Sequence, residues 1–232
     1  LFGFKKRLFA SIVEYDGISC DIYKIIEISF INNKNVSEKT VWRHEKPCTI
    51  YKGGGPNTSF SGRLFVTPNY LYLTGGFDYE EDAPLQNIST PGETYQSVNK
   101  FLEKNAIFGA VTRVNLLNGY SERFASGLRV PQGLVALDSH DKGNDYLLET
   151  EHGPRGGDEL NFIRKDKDYG WPFVSFGQQY YVPSNTDSKV ITRYSNHENF
   201  EKPIYFWSPS IGISQITKLE FEVPHSTWSN GD

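Results

Sequence analysis

Methionine is missing from this 232-residue sequence, even at position 1. A chain without an initiator residue is read as part of a longer one. Cysteine is scarce too, with Cys20 and Cys48 alone. That excludes a disulfide-stapled scaffold and any CxxC motif, and leaves either one disulfide or a pair of buried free thiols. No apolar run reaches the ~18 residues a membrane-spanning helix needs, and the sequence shows no signal peptide. Basic charge is not in excess: the formal net charge is −4 and the pI about 5.8. That balance argues against a nucleic-acid or anionic-membrane surface. The five histidines, His44, His140, His152, His197 and His225, show no HxxxH-type spacing, so zinc chemistry has no foothold. A GxSxG elbow and a dinucleotide fingerprint are absent. The glycine-rich Gly53–Arg63 (GGGPNTSFSGR) lacks the Gly-Lys-Ser/Thr and following helix of a phosphate loop. Hydrolase and nicotinamide-dependent readings are thereby set aside.

What is present favours strands. Aromatic residues make up 15% of the chain, and 21 glycines and 12 prolines suit short strands joined by tight turns. Alternating or apolar runs occur at Leu8–Glu14, Ile22–Phe30, Thr40–His44, Val111–Leu117, Leu134–Leu137, Asp145–Thr150 and Gln215–Val223. Gly62–Thr67 and Tyr70–Thr74 are split by Pro-Asn and read as a hairpin, and Asn118-Gly119 marks another turn. One segment, Thr94–Asn105, has a helical pattern or belongs to a long insertion. Strand pairs without strand–helix alternation point to an all-β fold of stacked four-stranded units, with a sandwich as the alternative from periodicity. Residues 1–232 read as one partial domain. The last residues, Trp228–Asp232 (WSNGD), are turn chemistry with no strand after them, as expected of a truncated chain.

Beside the glycine-rich Gly53–Arg63, two clusters and two aromatic corners carry candidate chemistry. Glu151–Ile163 (EHGPRGGDELNFI) sets three glycines, a proline and five ionisable side chains directly after an apolar run. It is either a solvated loop or a backbone-built cation site, since Ca²⁺ takes carbonyl oxygens as readily as carboxylates. Asp158 and Glu159 are adjacent, and in extended backbone they would face opposite ways. Gly127–Leu134 (GLRVPQGL) places Arg129 on a constrained backbone, suited to a carboxylate or phosphate or else to a surface ion pair. Asp168–Pro172 (DYGWP) and Tyr205–Ile213 (YFWSPSIGI) are aromatic corners, either core plugs or walls for a planar ligand.

Taken in order, these clusters resemble the PQQ-dependent soluble glucose/sorbosone (aldose sugar) dehydrogenases. The matching stretches are SGRLFVTPNYLYLTGG (61–76), GAVTRVN (109–115), GLRVPQGL (127–134), EHGPRGGDELN (151–161) and YGWP (169–172), with WSPSIG (207–212) and the terminal WSNGD as weaker matches. The resemblance implies a six-bladed β-propeller, of which this chain supplies roughly four blades. It implies PQQ and Ca²⁺ as cofactors and oxidation of an aldose hydroxyl. The carbonyls of Gly153 and Pro154 would hold the catalytic Ca²⁺, His152 would lie against the quinone, and Arg129 would pair with a PQQ carboxylate. Arg63 belongs to the same cofactor set. Glu159 and the backbone of Tyr169 would form part of a second, structural Ca²⁺ site. Periplasmic or secreted location, a sugar as the small-molecule partner and a homodimer fit the same family.

Two departures stand out. The family's general base is a histidine four residues before the arginine matched by Arg63, and here that position is Ser59. Its orienting aspartate falls at Gly76. A serine cannot take the proton of a sugar hydroxyl at neutral pH. His152 and Asp78 are the nearest replacements. The asparagine usual after the motif's arginine is Val130. Two functions follow: a quinoprotein sugar dehydrogenase with another base, or a propeller that binds Ca²⁺ and a sugar or protein partner without turnover.

Overall fold

The computed structural model describes residues 2–4, 7–15, 21–30, 36–44, 61–76, 107–137, 146–171, 174–177 and 197–218. Cys20, Cys48, Ser59, Asp78 and the 94–105 segment lie outside them. Among the described residues the structure is all β. A first sheet runs in order through β1 (Phe2–Phe4), β2 (Arg7–Tyr15), β3 (Asp21–Phe30) and β4 (Val36–Arg43). A middle sheet runs through β5 (Leu64–Val66), β6 (Tyr70–Gly75), β7 (Ala110–Asn115) and β8 (Ser121–Ser126), with the short β12 (Lys167–Asp168) parallel to β8. The third sheet joins β9 (Val130–Ala136), β10 (Leu147–His152), β11 (Asp158–Ile163) and β13 (Tyr205–Trp207). Apart from β12, every pairing among the described strands is antiparallel, most of them between strands joined by short connections and β6–β7 and β11–β13 across long ones.

The middle sheet is buried on both faces, and its alternation shows why. Leu64, Val66, Leu71, Leu73 and Val114 pack against Phe9, Tyr23, Ile25 and Trp42 of the first sheet. Tyr72, Val111, Phe124 and Ala125 pack against Leu134, Ala136, Leu147 and Ile163 of the third. Odd and even positions of one strand thus serve two different cores. Phe124 and Ala125 join the same core because the β7–β8 register slips there: Val111 faces Ala125 while Thr112 faces Arg123. Such a bulge turns consecutive side chains to one face.

Two stretches differ from the sequence reading. Glu151–Ile163 is not one loop: it is the end of β10, a turn at 153–157 and the whole of β11. The strand expected from Gln215 does not form over the described residues 215–218. β8, SERFAS, went unseen because the bulge breaks its alternation.

Register brings the landmarks together. Leu64 pairs with Leu73, Gly75 with Ala110, Ala110 with Ser126, Val130 with His152, and Asp158 with Trp207. Arg63, Gly76, Gly127–Arg129, His152–Gly157 and the segment after Trp207 therefore all emerge at one end of the sheets.

Candidate functional site

The turn from His152 to Asp158 is built by close backbone approach. A Cβ on Gly153 would lie 1.9 Å from the Gly157 carbonyl oxygen. Gly157 adopts φ +87° and rests against the backbone of Gly177, whose amide nitrogen a Cβ there would meet at 2.2 Å. Side chains at these positions would open the turn, so the glycines follow from geometry rather than flexibility. The Gly157 N–H donates to the Trp207 carbonyl at 2.7 Å, tying the turn to the end of β13.

Arg129 sits beneath this turn. Its Nη1 donates to the carbonyls of His152 at 3.1 Å and Gly153 at 2.9 Å, and its guanidinium lies 5.3 Å from the centroid of the buried Trp171 ring. Its backbone N–H donates to Glu151. The side chain is buried, which sets aside the surface ion-pair reading. Its positive charge faces the Gly153 carbonyl oxygen, one of the two that the resemblance assigns to a cation.

Behind the turn lies a buried carboxylate cluster. On the β10–β11 ladder Glu149 stands opposite Asn161 and Glu151 opposite Glu159, so all four side chains share one face. Asn161 Nδ2 donates to Glu149 Oε2 and Glu151 Oε1, each at 3.1 Å. Burial, and the neighbouring Glu151, hold the Glu149 carboxyl well above the usual carboxylate range. Burial and Glu151 act likewise on Glu159, which also accepts a backbone N–H from Phe176. Burial pushes Glu151 up to about 7, against the backbone N–H groups of Arg129 and Val130 that favour its charged form. Three carboxyls in this proximity cannot all ionise without a compensating cation.

Asp158 and Glu159 do part company. Glu159 enters the cluster, whereas Asp158 turns to the segment after β13, where its Oδ2 accepts the backbone N–H groups of Ile211, Gly212 and Ile213. The imidazole of His152 is about one-third exposed, with Nδ1 3.8 Å from Asp158 Oδ1. Arg63 reaches the same segment, its Nη1 3.4 Å from Gln215 Oε1. Tyr169 and Trp171 are core residues: the Tyr169 hydroxyl donates to the Phe162 carbonyl and accepts from the Arg164 N–H. Tyr205, Phe206 and Ile211 are exposed, so Tyr205–Ile213 is not a core plug.

The donor types suit a hard cation, since the Gly153–Pro154 backbone is buried and follows a cluster of buried carboxyls, although Arg129 already occupies the Gly153 carbonyl. Among the described residues no group of three or more His, Cys, Asp or Glu side chains is disposed to hold a metal. Backbone oxygens would therefore have to supply much of the coordination. Arg129 and Arg63 suit a carboxylate-bearing ligand at the same end of the sheets.

The family model described as Glucose / Sorbosone dehydrogenase matches residues 24–230. The chain belongs to the glucose/sorbosone dehydrogenase family. Aldose sugar dehydrogenase YliI of Escherichia coli is 31% identical over 96 residues, 40% of this chain and 23% of that protein. Quinoprotein glucose dehydrogenase B of Acinetobacter calcoaceticus is 33% identical over 149 residues, 56% of this chain and 30% of that one. The apo crystal structure of the soluble E. coli aldose sugar dehydrogenase superposes with a TM-score of 0.58 at 23% identity, over 90% of this chain and 56% of that chain. That likeness is one of fold. This glucose/sorbosone dehydrogenase family chain spans about half the length of that solved relative. Ser59 and Gly76 lie inside the matched region.

The sequence reading passed over the Glu149–Asn161 pair and the partners of Asp158. Glu149 and Glu151, and Glu159 and Asn161, each stand two apart within their strands, a period-2 signal interrupted in the sequence by the glycines and proline of the turn between them.

Proposed function

We propose that the chain is the cofactor-bearing part of a PQQ- and Ca²⁺-dependent sugar dehydrogenase, its three sheets being blades of a six-bladed propeller of which the chain supplies about four. The observation that supports this reading is the convergence of Arg63, Arg129 and His152–Pro154, far apart in sequence, at one end of the sheets. The names of the two curated relatives agree with it.

In this reading the Gly153 and Pro154 carbonyls hold the cation, and Arg129 and Arg63 bind the carboxylates of the quinone. Glu159 and the Tyr169 backbone serve a second, structural cation. When bound, the cation would supply Lewis-acid polarisation and the quinone a hydride acceptor for the oxidation of the sugar. With Ser59 at the family's base position, His152 is the residue that accepts the hydroxyl proton. Its Nδ1 faces Asp158, which leaves Nε2 to take the proton. Export to the periplasm or beyond belongs to the same reading.

A second reading, binding without turnover, is favoured by the joint replacement of base and orienter at Ser59 and Gly76. Reconstitution with PQQ and Ca²⁺ separates the two. The enzyme reading expects an aldose-dependent dye reduction that is lost in His152→Gln. Cofactor binding with no dye reduction would favour the second, and failure to bind PQQ or Ca²⁺ would sink the enzyme reading.

A further inference from the structure

Asp158 is 1% exposed, and its carboxylate gathers backbone N–H groups from two separate segments. Oδ1 accepts from Gly153 at 3.2 Å. Oδ2 accepts from Ile211, Gly212 and Ile213 at 3.1, 2.9 and 3.2 Å. Three successive N–H groups converging on one oxygen make an anion-binding concavity, and Gly212, at φ +65°, provides the left-handed residue such a concavity uses. Here the chain's own carboxylate fills it.

Among the described residues, apolar burial does little to hold 208–212, all of which are exposed. Residues 208–213 form no strand, and Ile211 is 59% exposed. Among the described residues, 211–213 are held through the Asp158 carboxylate, while on either side the Gly157 N–H bonds the Trp207 carbonyl and Arg63 reaches Gln215. Those flanking contacts stop at Trp207 and Gln215, and the amides of 211–213 themselves bond to Asp158.

We infer that Asp158 is the positioning residue of the site: it locks residues 211–213 to the turn carrying His152, Gly153 and Pro154, so that the two sides of the site hold one spacing. This rests on the cofactor reading proposed above. Asp158 acts through the Gly153 N–H and the 211–213 amides. Asparagine has the same shape, but its amide group would turn a donor toward N–H donors that a carboxylate accepts on both oxygens.

The test measures Ca²⁺ and PQQ affinity of the 232-residue chain by calorimetry at low temperature, where circular dichroism shows wild type and Asp158→Asn equally folded. The expected result is a 10- to 100-fold weaker affinity in the variant, the usual effect of losing a group that orients a ligand. A lowered Tm with unchanged affinity would mean a merely structural role and would overturn the inference. If Asp158→Asn does not fold, amide exchange of the wild type, followed by NMR, decides. The amides of Gly153 and Ile211–Ile213 should open as one unit, and independent opening would overturn the proposal. Failure of the wild type to bind Ca²⁺ or PQQ strikes the cofactor reading alone, because the exchange measurement still decides whether Asp158 locks the two segments.

Discussion

The guanidinium of Arg129 donates to the carbonyl oxygen of Gly153 at 2.9 Å, so the chain sets a positive charge of its own on that oxygen. A divalent cation on the same atom would lie within ~5 Å of the guanidinium, where the two charges repel by about 6–7 kcal/mol at an effective dielectric of ~20. Even with most of that repulsion relieved by movement of the side chain and by water, Arg129→Gln should bind Ca²⁺ at least about tenfold more tightly in the absence of PQQ, and PQQ more weakly. It should also lose about 1.5–3 kcal/mol of stability, because buried carbonyls lose a charged donor. Paired calorimetric titrations, with and without PQQ, check the first part. Equal or weaker Ca²⁺ binding by the variant would contradict the competition.

The buried glutamates make stability depend on pH. Glu151 is raised from 4.5 to about 7, and Glu149 and Glu159 are raised well above 4.5. The folded chain then holds protons that the unfolded chain releases. Stability is fully present below about 4.5 and falls as pH rises through the folded values, by ~1.4 kcal/mol per pH unit for each group titrating. In EDTA, the urea midpoint should drop steadily from pH 5 to pH 8. Glu149→Gln, neutral and nearly the same shape, should flatten that drop and be the more stable protein at pH 8. A midpoint that climbs over this range would show that the cluster is charged and satisfied without a cation.

How much of this could be read from the sequence follows from which interactions are local. The Tyr70–Gly75 strand and the Asn118-Gly119 turn were legible, because alternation and turn chemistry act within a few residues. EHGPRGGDELN marked the site, since the close approach at Gly153 and the left-handed φ of Gly157 leave glycine as the residue that fits. The grip of Asp158 on Ile211–Ile213 spans more than fifty residues, and no spacing rule connects them. The Glu149–Asn161 pairing needed the β10–β11 register, and the glycines in the turn disguised β11 as loop.

Gly153→Ala tests the turn directly. The added Cβ would fall 1.9 Å from the Gly157 oxygen and 2.3 Å from its carbon. Both are backbone atoms of a residue itself pressed on Gly177, so the turn must shift. A loss of about 2–4 kcal/mol is expected, as for other forced backbone clashes, together with loss of Ca²⁺ binding. Gly119→Ala serves as the control, because its Cβ meets nothing within 4 Å. At Gly119 the φ of +73° carries only the conformational cost, about 1 kcal/mol. Chemical denaturation of both variants gives the comparison, and equal losses would show that the close approach at Gly153 is not a constraint.

The last prediction concerns the proton. If His152 is a makeshift base, a histidine returned to position 59 with an aspartate at position 76 should outperform it. The double variant Ser59→His/Gly76→Asp, loaded with PQQ and Ca²⁺, is expected to raise aldose-dependent dye reduction by about 10²–10³, within the usual reach of a positioned general base. Ser59→His alone should give less, because an unoriented imidazole is poorly aimed. The outcome also separates the two functions. A gain in the double variant that survives His152→Gln would show that only the base was missing. Cofactor binding with no gain would mean that the loss of turnover reaches beyond positions 59 and 76, and would favour a chain kept for binding.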